Sequence, residues 1–514
     1  MEWHALLFAD KASYETWQKN VGTPIAEAVA ADLKLSVIAD EVVRITPNFP
    51  RQYLLFPCYE EETEHLRADV MRELYENPVL AETLAAFTAE LQRLGTRRAA
   101  TFEMTNPDAR NSYFLTAVRD YCACVRRLAA LAENVRSRGL ALLHELAVSL
   151  CDAEFEEMER AVETLDAEGS ALRTLSLTFD FDYKTVGVET LPDRPEGVAD
   201  RLETLAREAF GTELRFDYSV VNANAISVLE EKLISLMKMR DPSSFAHMAA
   251  FYKRWHTLRF FRLLDLRAPL LFYVGYLAFV RRYEKKGFRF AWRRHDEAFD
   301  CGALYDLSLA VKLGDAKDIV PNDLYLEKGE IFVLSGANQG GKTTFLRAFG
   351  QCIALSAAGC PVPASSFSAP HIGFFATHFN RAEKTGRSRL EEELERIRLI
   401  LPHLDGNSTV LFNECFVGTR RADAVELALD VLERLRTCGA SGGFVTHYFE
   451  LSQRDPRLVS LVAEVAADGS EKRCYRITKR PPDGLAHAES IARACGVTYE
   501  KLSELLAAEE RSAK

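Results

Sequence analysis

Ile331-Phe-Val-Leu-Ser335 is a short apolar run. It passes directly into Gly336-Ala-Asn-Gln-Gly-Gly-Lys-Thr343, and Thr344-Phe-Leu-Arg-Ala-Phe349 follows with helical texture. The order is strand, glycine-rich turn, helix. The turn matches GxxxxGK[ST] at every fixed position, in the structural context that the motif requires. Glycines at Gly336, Gly340 and Gly341 let backbone amides crowd around phosphate oxygens. Ala337, Asn338 and Gln339 complete the loop. The start of the following helix adds partial positive charge. Lys342 is placed to reach the β- and γ-phosphates, and the Thr343 hydroxyl to bind Mg²⁺, with Thr344 beside it. The expected cofactors are therefore ATP and Mg²⁺.

Downstream, further apolar strands are expected at Ile372-Gly-Phe-Phe-Ala376, Thr409-Val-Leu-Phe412 and Gly443-Phe-Val-Thr446, with helical stretches between them. Strand–helix alternation of this kind builds a mostly parallel sheet. Leu461 to Ala466 and Arg473 to Thr478 flank Ala467-Asp-Gly-Ser470 and predict a closing hairpin. Residues 295–484 are thus expected to form an α/β P-loop NTPase domain, ABC-like, followed by C-terminal helices over 485–514.

A phosphate loop needs a carboxylate at a neighbouring strand tip to manage metal and water. The strand at Thr409 ends in Asn413-Glu414. Glu414 is placed to orient or deprotonate an attacking water. Asn413 stands where an aspartate would help to hold Mg²⁺; it offers an oxygen without a charge. His447, in Thr446-His-Tyr448, ends the next strand and is a candidate for contact with the γ-phosphate. Lys342, Glu414 and His447 form the expected catalytic set. Thr343 and Asn413 form the metal set. His378 ends another strand and reads either as structural or as a neighbour of the metal.

Upstream the texture is different. Leu66, Val70, Leu74, Leu80, Leu84, Phe87, Leu91 and Leu94 recur at helical spacing, and a second helical stretch runs from about 112 to 165. Leu175-Ser-Leu-Thr-Phe-Asp-Phe-Asp-Tyr183 alternates as a half-buried strand does. Residues 1–294 are read as a helical core and lever region. The run from Ala268 to Val280 falls short of the roughly 20 apolar residues of a membrane span, so it reads as a buried helix and no membrane partner is expected.

The chain has 514 residues, 48% hydrophobic and 27% charged, which is ordinary for a globular protein and far from a disordered one. Its formal net charge of -11 argues against nucleic acid coating the whole surface, so any DNA contact must be local or shared with a second subunit. Seven lysines and arginines lie between Arg281 and Arg294, interleaved with Tyr283, Phe288, Phe290 and Trp292. That mixture suits either a phosphate backbone or a solvated connector. Arg420-Arg421 follows the Glu414 strand and is a candidate for a subunit interface. The 11 cysteines show no paired metal spacing and read as reduced thiols of a cytoplasmic protein.

Taken together these segments resemble the MutS family. Gly336 to Thr344 is similar to that family's GPNxxGKST, with Ala337 for proline. Val320-Pro-Asn-Asp323 is similar to its Val-Pro-Asn element, and Asn413-Glu-Cys-Phe-Val-Gly-Thr419 to its Asp-Glu-x-x-x-Gly-Thr. Val445-Thr-His-Tyr-Phe-Glu-Leu451 is similar to its ATH[YF]xEL. Gly386-Arg-Ser-Arg-Leu-Glu-Glu-Glu393 resembles the signature helix, and Asp483 to Val497 the terminal dimerisation helices. The resemblance is strong over about 300 to 500 and weaker upstream, where Asp32 to Leu35, Glu62 to Val70 and the Ala268 helix look like parts of the helical core. It implies a homodimeric, DNA-binding ATPase clamp acting in repair or recombination. Ser388 would approach the partner subunit's nucleotide, and other repair proteins are possible partners. The family's mismatch-reading N-terminal domain has no counterpart in this reading, so a protein–protein switch that kept the ATPase engine stands as the alternative. An ABC- or SMC-type ATPase is disfavoured, because neither an LSGGQ-like signature nor long heptads are present.

Overall fold

A computed structural model describes residues 3–131, 135–168, 176–182, 185–191, 234–235, 237–258, 261–336, 339–379, 389–465, 473–481 and 503. The chain begins with α1 (Lys11–Asn20), α2 (Pro24–Asp32), α3 (Leu35–Ile45), α4 (Gln52–Leu55) and α5 (Glu61–Glu76). Their starts are chemically marked. The Asp10 carboxylate accepts the Ser13 amide at 2.7 Å, and Glu60 caps α5 by accepting the Thr63 amide at 3.0 Å. Glu61, Glu62 and Glu64 then fill the first turn of α5, where the helix dipole favours negative charge.

Next come α6 (Pro78–Glu103), α7 (Pro107–Leu131), α8 (Arg138–Leu150) and α9 (Ala153–Glu168), the hairpin β1 (Ser176–Asp182) and β2 (Thr185–Leu191), and α10 (Pro242–Trp255), α11 (Phe261–Leu264) and α12 (Arg267–Glu284). By contacts, residues 78–136 and 140–270 form one unit. In it α7 packs against α6, α9 and α10. Leu84, Phe87, Leu91 and Leu94 on α6 and Val118, Tyr121, Val125 and Leu128 on α7 are buried at helical spacing. Each such side chain stabilises the unit by about 1.5–3 kcal/mol. Arg119 pairs with Asp166, and Arg126 with Glu159, tying α7 to α9 at the rim.

The second unit holds residues 4–77, 137–139 and 271 onward. It adds β3 (Arg293–His295), β4 (Ala298–Leu304), α13 (Leu307–Leu313), β5 (Asn322–Glu327), β6 (Ile331–Gly336), α14 (Lys342–Ala357), β7 (Ser366–Ala369) and β8 (Phe374–Phe379). These are followed by α15 (Arg389–Ile400), β9 (Ser408–Asn413), α16 (Arg421–Thr437), β10 (Ser441–Val445), α17 (Glu450–Arg454), β11 (Val459–Val465) and β12 (Arg473–Lys479). Six strands form one sheet in the order β12-β11-β6-β10-β9-β8. All its pairings are parallel except β11–β12, the expected hairpin. β9 and β10 are buried along their whole length, as the middle strands of a parallel sheet covered on both faces must be. Gly443 on β10 is required by that packing: a Cβ there would lie 2.2 Å from the Phe332 ring.

Two features were not visible in the sequence. A second sheet, β3-β7-β4-β5, is built from strands of three to seven residues, of which only β5 alternates cleanly between buried and exposed positions. The N-terminal helices also fold with the α/β part, so the contact units do not divide at residue 294. The Asp32 carboxylate at the end of α2 accepts from Thr377 Oγ1 at 2.9 Å and from the Phe379 amide at 3.1 Å. Gln351 of α14 donates to the Leu33 carbonyl at 2.9 Å.

The stretch Arg262–Glu284 is long and apolar enough to cross a membrane, but 72% of its most apolar window is buried inside the protein. Tyr273 and Tyr276 lie in it, and their hydroxyls donate to the carbonyls of Leu6 and Pro361. These are the contacts of a core helix. The expected helices at 485–514 lie outside the described residues, apart from Ser503.

Candidate functional site

The site grows from the end of β6. Gly336 has φ 121°, and a Cβ on it would lie 2.8 Å from the Ala463 carbonyl oxygen of β11, so only glycine fits. Gln339 and Gly341 also take left-handed conformations, with φ 60° and 89°. Gly341 leads directly into Lys342, the first residue of α14. Lys342 is 4% exposed, and its ammonium donates to the Gly336 carbonyl at 2.9 Å. Burial pulls its pKa below the usual lysine value, and the nearby Glu414 carboxylate opposes that shift. A buried cation beside a helix N-terminus is a favourable place for a polyanion.

Two further strand tips meet this loop. The Thr343 hydroxyl donates to Asn413 Oδ1 at 3.0 Å, joining the start of α14 to the end of β9. Glu414 follows with φ 54°, a conformation that costs a non-glycine residue about 1–2 kcal/mol. Its amide donates to the Val445 carbonyl of β10 at 2.8 Å, which holds the turn in place. Phe416 is likewise left-handed, φ 65°, and its amide donates to the Glu393 carboxylate of α15 at 2.6 Å. His447 Nε2–H donates to Glu414 Oε1 at 3.1 Å. Lys342, Thr343, Asn413, Glu414 and His447 are therefore gathered at one edge of the parallel sheet, although they come from three separate segments.

A cleft of about 420 Å³ opens beside them. Gln339, Lys342, Thr343, Thr344 and Glu414 line it together with Asp306, Asp318 and Asn322, and Tyr305, Leu309, Leu313, Ile319, Val320 and Tyr475 add apolar surface. Mixed apolar and polar lining of this kind is that of a small-molecule pocket. Tyr475 did not stand out in the sequence. It sits on β12 with φ 54°, and its ring lies 3.4 Å from where a Cβ on Gly341 would be. Asn322 fixes it, donating to the Tyr475 carbonyl at 3.0 Å and accepting the Ile477 amide at 2.7 Å. The available signal was the Val320-Pro-Asn-Asp323 run, whose Asn322 does this clamping.

The donors present suit a hard divalent cation. Thr343 and Asn413 offer a hydroxyl and an amide oxygen, and Glu414 a carboxylate nearby, the oxygen set that Mg²⁺ prefers. Ala337, Asn338 and Ser388 lie outside the described residues. Gly340 is buried within the loop. His378 is 1% exposed, with its ring 6.2 Å from that of Phe412 in the sheet, and it does not line the cleft. Arg421 pairs with Glu450 at 2.5 Å.

Much of the basic–aromatic stretch serves packing. Tyr283 and Phe288 are buried, Arg293 pairs with Glu64 in the interior, and Arg281 donates to the Leu74 carbonyl at 3.0 Å. Arg282, Lys285, Lys286, Arg289 and Arg294 remain at the surface.

Sheet order, glycine-rich loop and converging strand tips define an α/β domain with its site at the carboxyl ends of parallel strands. Residues 332–480 match the family model for MutS domain V. The chain is 30% identical over 207 residues to the DNA mismatch repair protein MutS of Geobacillus sp. (strain WCH70), covering 38% of this chain and 24% of that protein. It is 31% identical over 186 residues to the DNA mismatch repair protein MutS of Thermus aquaticus, covering 36% and 23%. The match thus spans about a quarter of the length of these relatives.

Proposed function

We propose that the chain is an ATP-binding P-loop ATPase that works as a dimeric, DNA-binding clamp of the MutS type in repair or recombination. The observation that carries the reading is that Lys342, Thr343 and Glu414 line one cleft, with Asn413 bonded to Thr343 and His447 to Glu414 beside it. In this reading the loop amides and Lys342 bind the triphosphate. Mg²⁺, when bound, neutralises phosphate charge and polarises the terminal phosphoryl group. Thr343 and Asn413 are the residues that would hold it. Glu414 orients a water and accepts its proton, and His447 fixes the carboxylate through the 3.1 Å hydrogen bond. Glu393, bonded to the Phe416 amide, links α15 to the turn that carries Glu414 and so connects the helix after Ser388 to the chemistry.

Asn413 is a working variant in this scheme. It contributes an oxygen but no charge, so cation affinity falls and activity depends steeply on Mg²⁺ concentration. Asn413→Asp is expected to lower the Mg²⁺ needed for half-maximal ATPase activity. Superimposable Mg²⁺ titrations of the two proteins would show that the missing charge is without consequence.

The clamp requires two subunits. A dimer is expected at micromolar concentration, at least with a non-hydrolysable ATP analogue, and deletion of residues 485–514 is expected to weaken it. A monomer by light scattering, with and without the analogue, contradicts this.

DNA binding is tested by salt-dependent binding with and without ATP. A negative slope of log affinity against log salt, modulated by nucleotide, supports the clamp. The second reading is an ATP-driven protein–protein switch. It is favoured by the net charge of -11 and by the interior positions of Tyr283, Phe288 and Arg293 within the basic stretch. ATP turnover without DNA affinity at low salt would select it.

A further inference from the structure

Away from the cleft, three side chains converge that neither sheet packing nor the nucleotide site explains. Glu61 and His65 stand four residues apart on α5, hence on one helix face. His295 ends β3. One ligand atom from each lies within 4.8 Å of the others. The two imidazoles are the closest pair, with His65 Nε2 and His295 Nε2 2.8 Å apart and ring centroids at 4.3 Å. A fourth group adjoins them: His371 Nδ1 is 3.8 Å from Glu61 Oε2, is shielded from solvent, and has no hydrogen-bond partner. The segments involved are far apart in sequence, and His65 and His295 are separated by 230 positions.

We propose that Glu61, His65 and His295 form a divalent transition-metal site, with Zn²⁺ as the fitting ion. Two imidazole nitrogens and one carboxylate oxygen make a three-ligand set that water completes to four. Tetrahedral zinc with bonds of about 2.0–2.1 Å separates its ligand nitrogens by roughly 3.3 Å. The imidazoles therefore part by about half an ångström from their present contact, a small rotation for surface side chains. Glu61 swings in on its flexible stem, and His371 is placed to hold the second carboxylate oxygen.

Local charge permits a cation. The neighbouring Arg293 is neutralised by its buried pairing with Glu64. Arg72 lies over the Trp292 ring at 5.4 Å, and the exposed Arg294 lines the same cavity as His65 and His295. A simple hydrogen bond between the two imidazoles would account for the 2.8 Å contact but not for the converging Glu61 and the shielded His371. A bound ion would staple α5 to β3, fastening the N-terminal helices to the smaller sheet. This site is independent of the reading of the nucleotide cleft.

The test uses the full chain, stripped with a chelator and titrated with Zn²⁺ against a chromophoric competitor, with Co²⁺ as spectroscopic probe. One tight equivalent is expected, with tetrahedral Co²⁺ bands lacking thiolate charge transfer. Zn²⁺ should also raise the thermal midpoint. The double variant His65→Gln with His295→Gln should lose that equivalent while still binding a fluorescent ATP analogue as the parent does. His371→Ala should weaken the metal by about 10-fold or more, as loss of a supporting group does. No tight equivalent in the folded parent overturns the proposal. So does an equivalent that survives in the double variant, or a thiolate band placing the ion on the free cysteines.

Discussion

Glu414→Gln is expected to bind ATP as tightly as the parent and to hydrolyse it at least ~10²-fold more slowly, the range for losing a general base. The amide keeps the size and the hydrogen bond to His447 but cannot accept a proton. The backbone of residue 414 is fixed by its amide bond to Val445 and by the neighbouring Phe416–Glu393 bond, so the substitution leaves the turn intact. Binding and turnover should therefore separate cleanly. Single-turnover hydrolysis alongside equilibrium binding reads both quantities. Unchanged turnover would remove Glu414 from the chemistry. Lost binding would mean that the carboxylate organises the cleft instead.

Lys342→Ala is the second large effect, and it should act on binding itself. The ammonium is buried at the base of the loop, and burial has already weakened its hold on its proton. A negatively charged ligand adds to the partial compensation that Glu414 supplies. A hydrogen bond to a charged group contributes about 1.5–3 kcal/mol, so affinity for ATP should fall by roughly 10- to 100-fold and hydrolysis to background. Thermal stability without nucleotide should fall little or rise, because alanine removes a buried charge. If affinity is kept and stability falls sharply, Lys342 is a structural cation held by the Gly336 carbonyl.

The α/β half was legible because its signals are local. Gly336 to Thr343 specifies strand, turn and helix within a few residues, and β9 and β10 are continuous apolar runs ending in chemically distinctive tips. At those tips Thr343 bonds Asn413 and His447 bonds Glu414. What escaped notice depends on contacts distant in sequence. Asp32 binding Thr377 and Phe379, and Gln351 reaching Leu33, tie residues 4–77 to the α/β unit, yet nothing in α2 or α3 distinguishes that packing from a helical bundle. The strands β3 and β7 are three and four residues long, too short for alternation to show. Tyr475 gained meaning only once β12 was seen beside Gly341. The His65–His295 contact joins two positions that nothing in their own neighbourhoods connects.

The central claim is that the cleft beside Lys342 binds Mg²⁺–nucleotide. Isothermal titration of the full chain with a non-hydrolysable ATP analogue, in Mg²⁺ and again in EDTA, tests it most directly. One nucleotide per chain is predicted, bound more weakly in EDTA and lost or weakened at least 10-fold in Lys342→Ala. No binding by the folded parent chain, or binding indifferent to both Mg²⁺ and Lys342, would contradict the account.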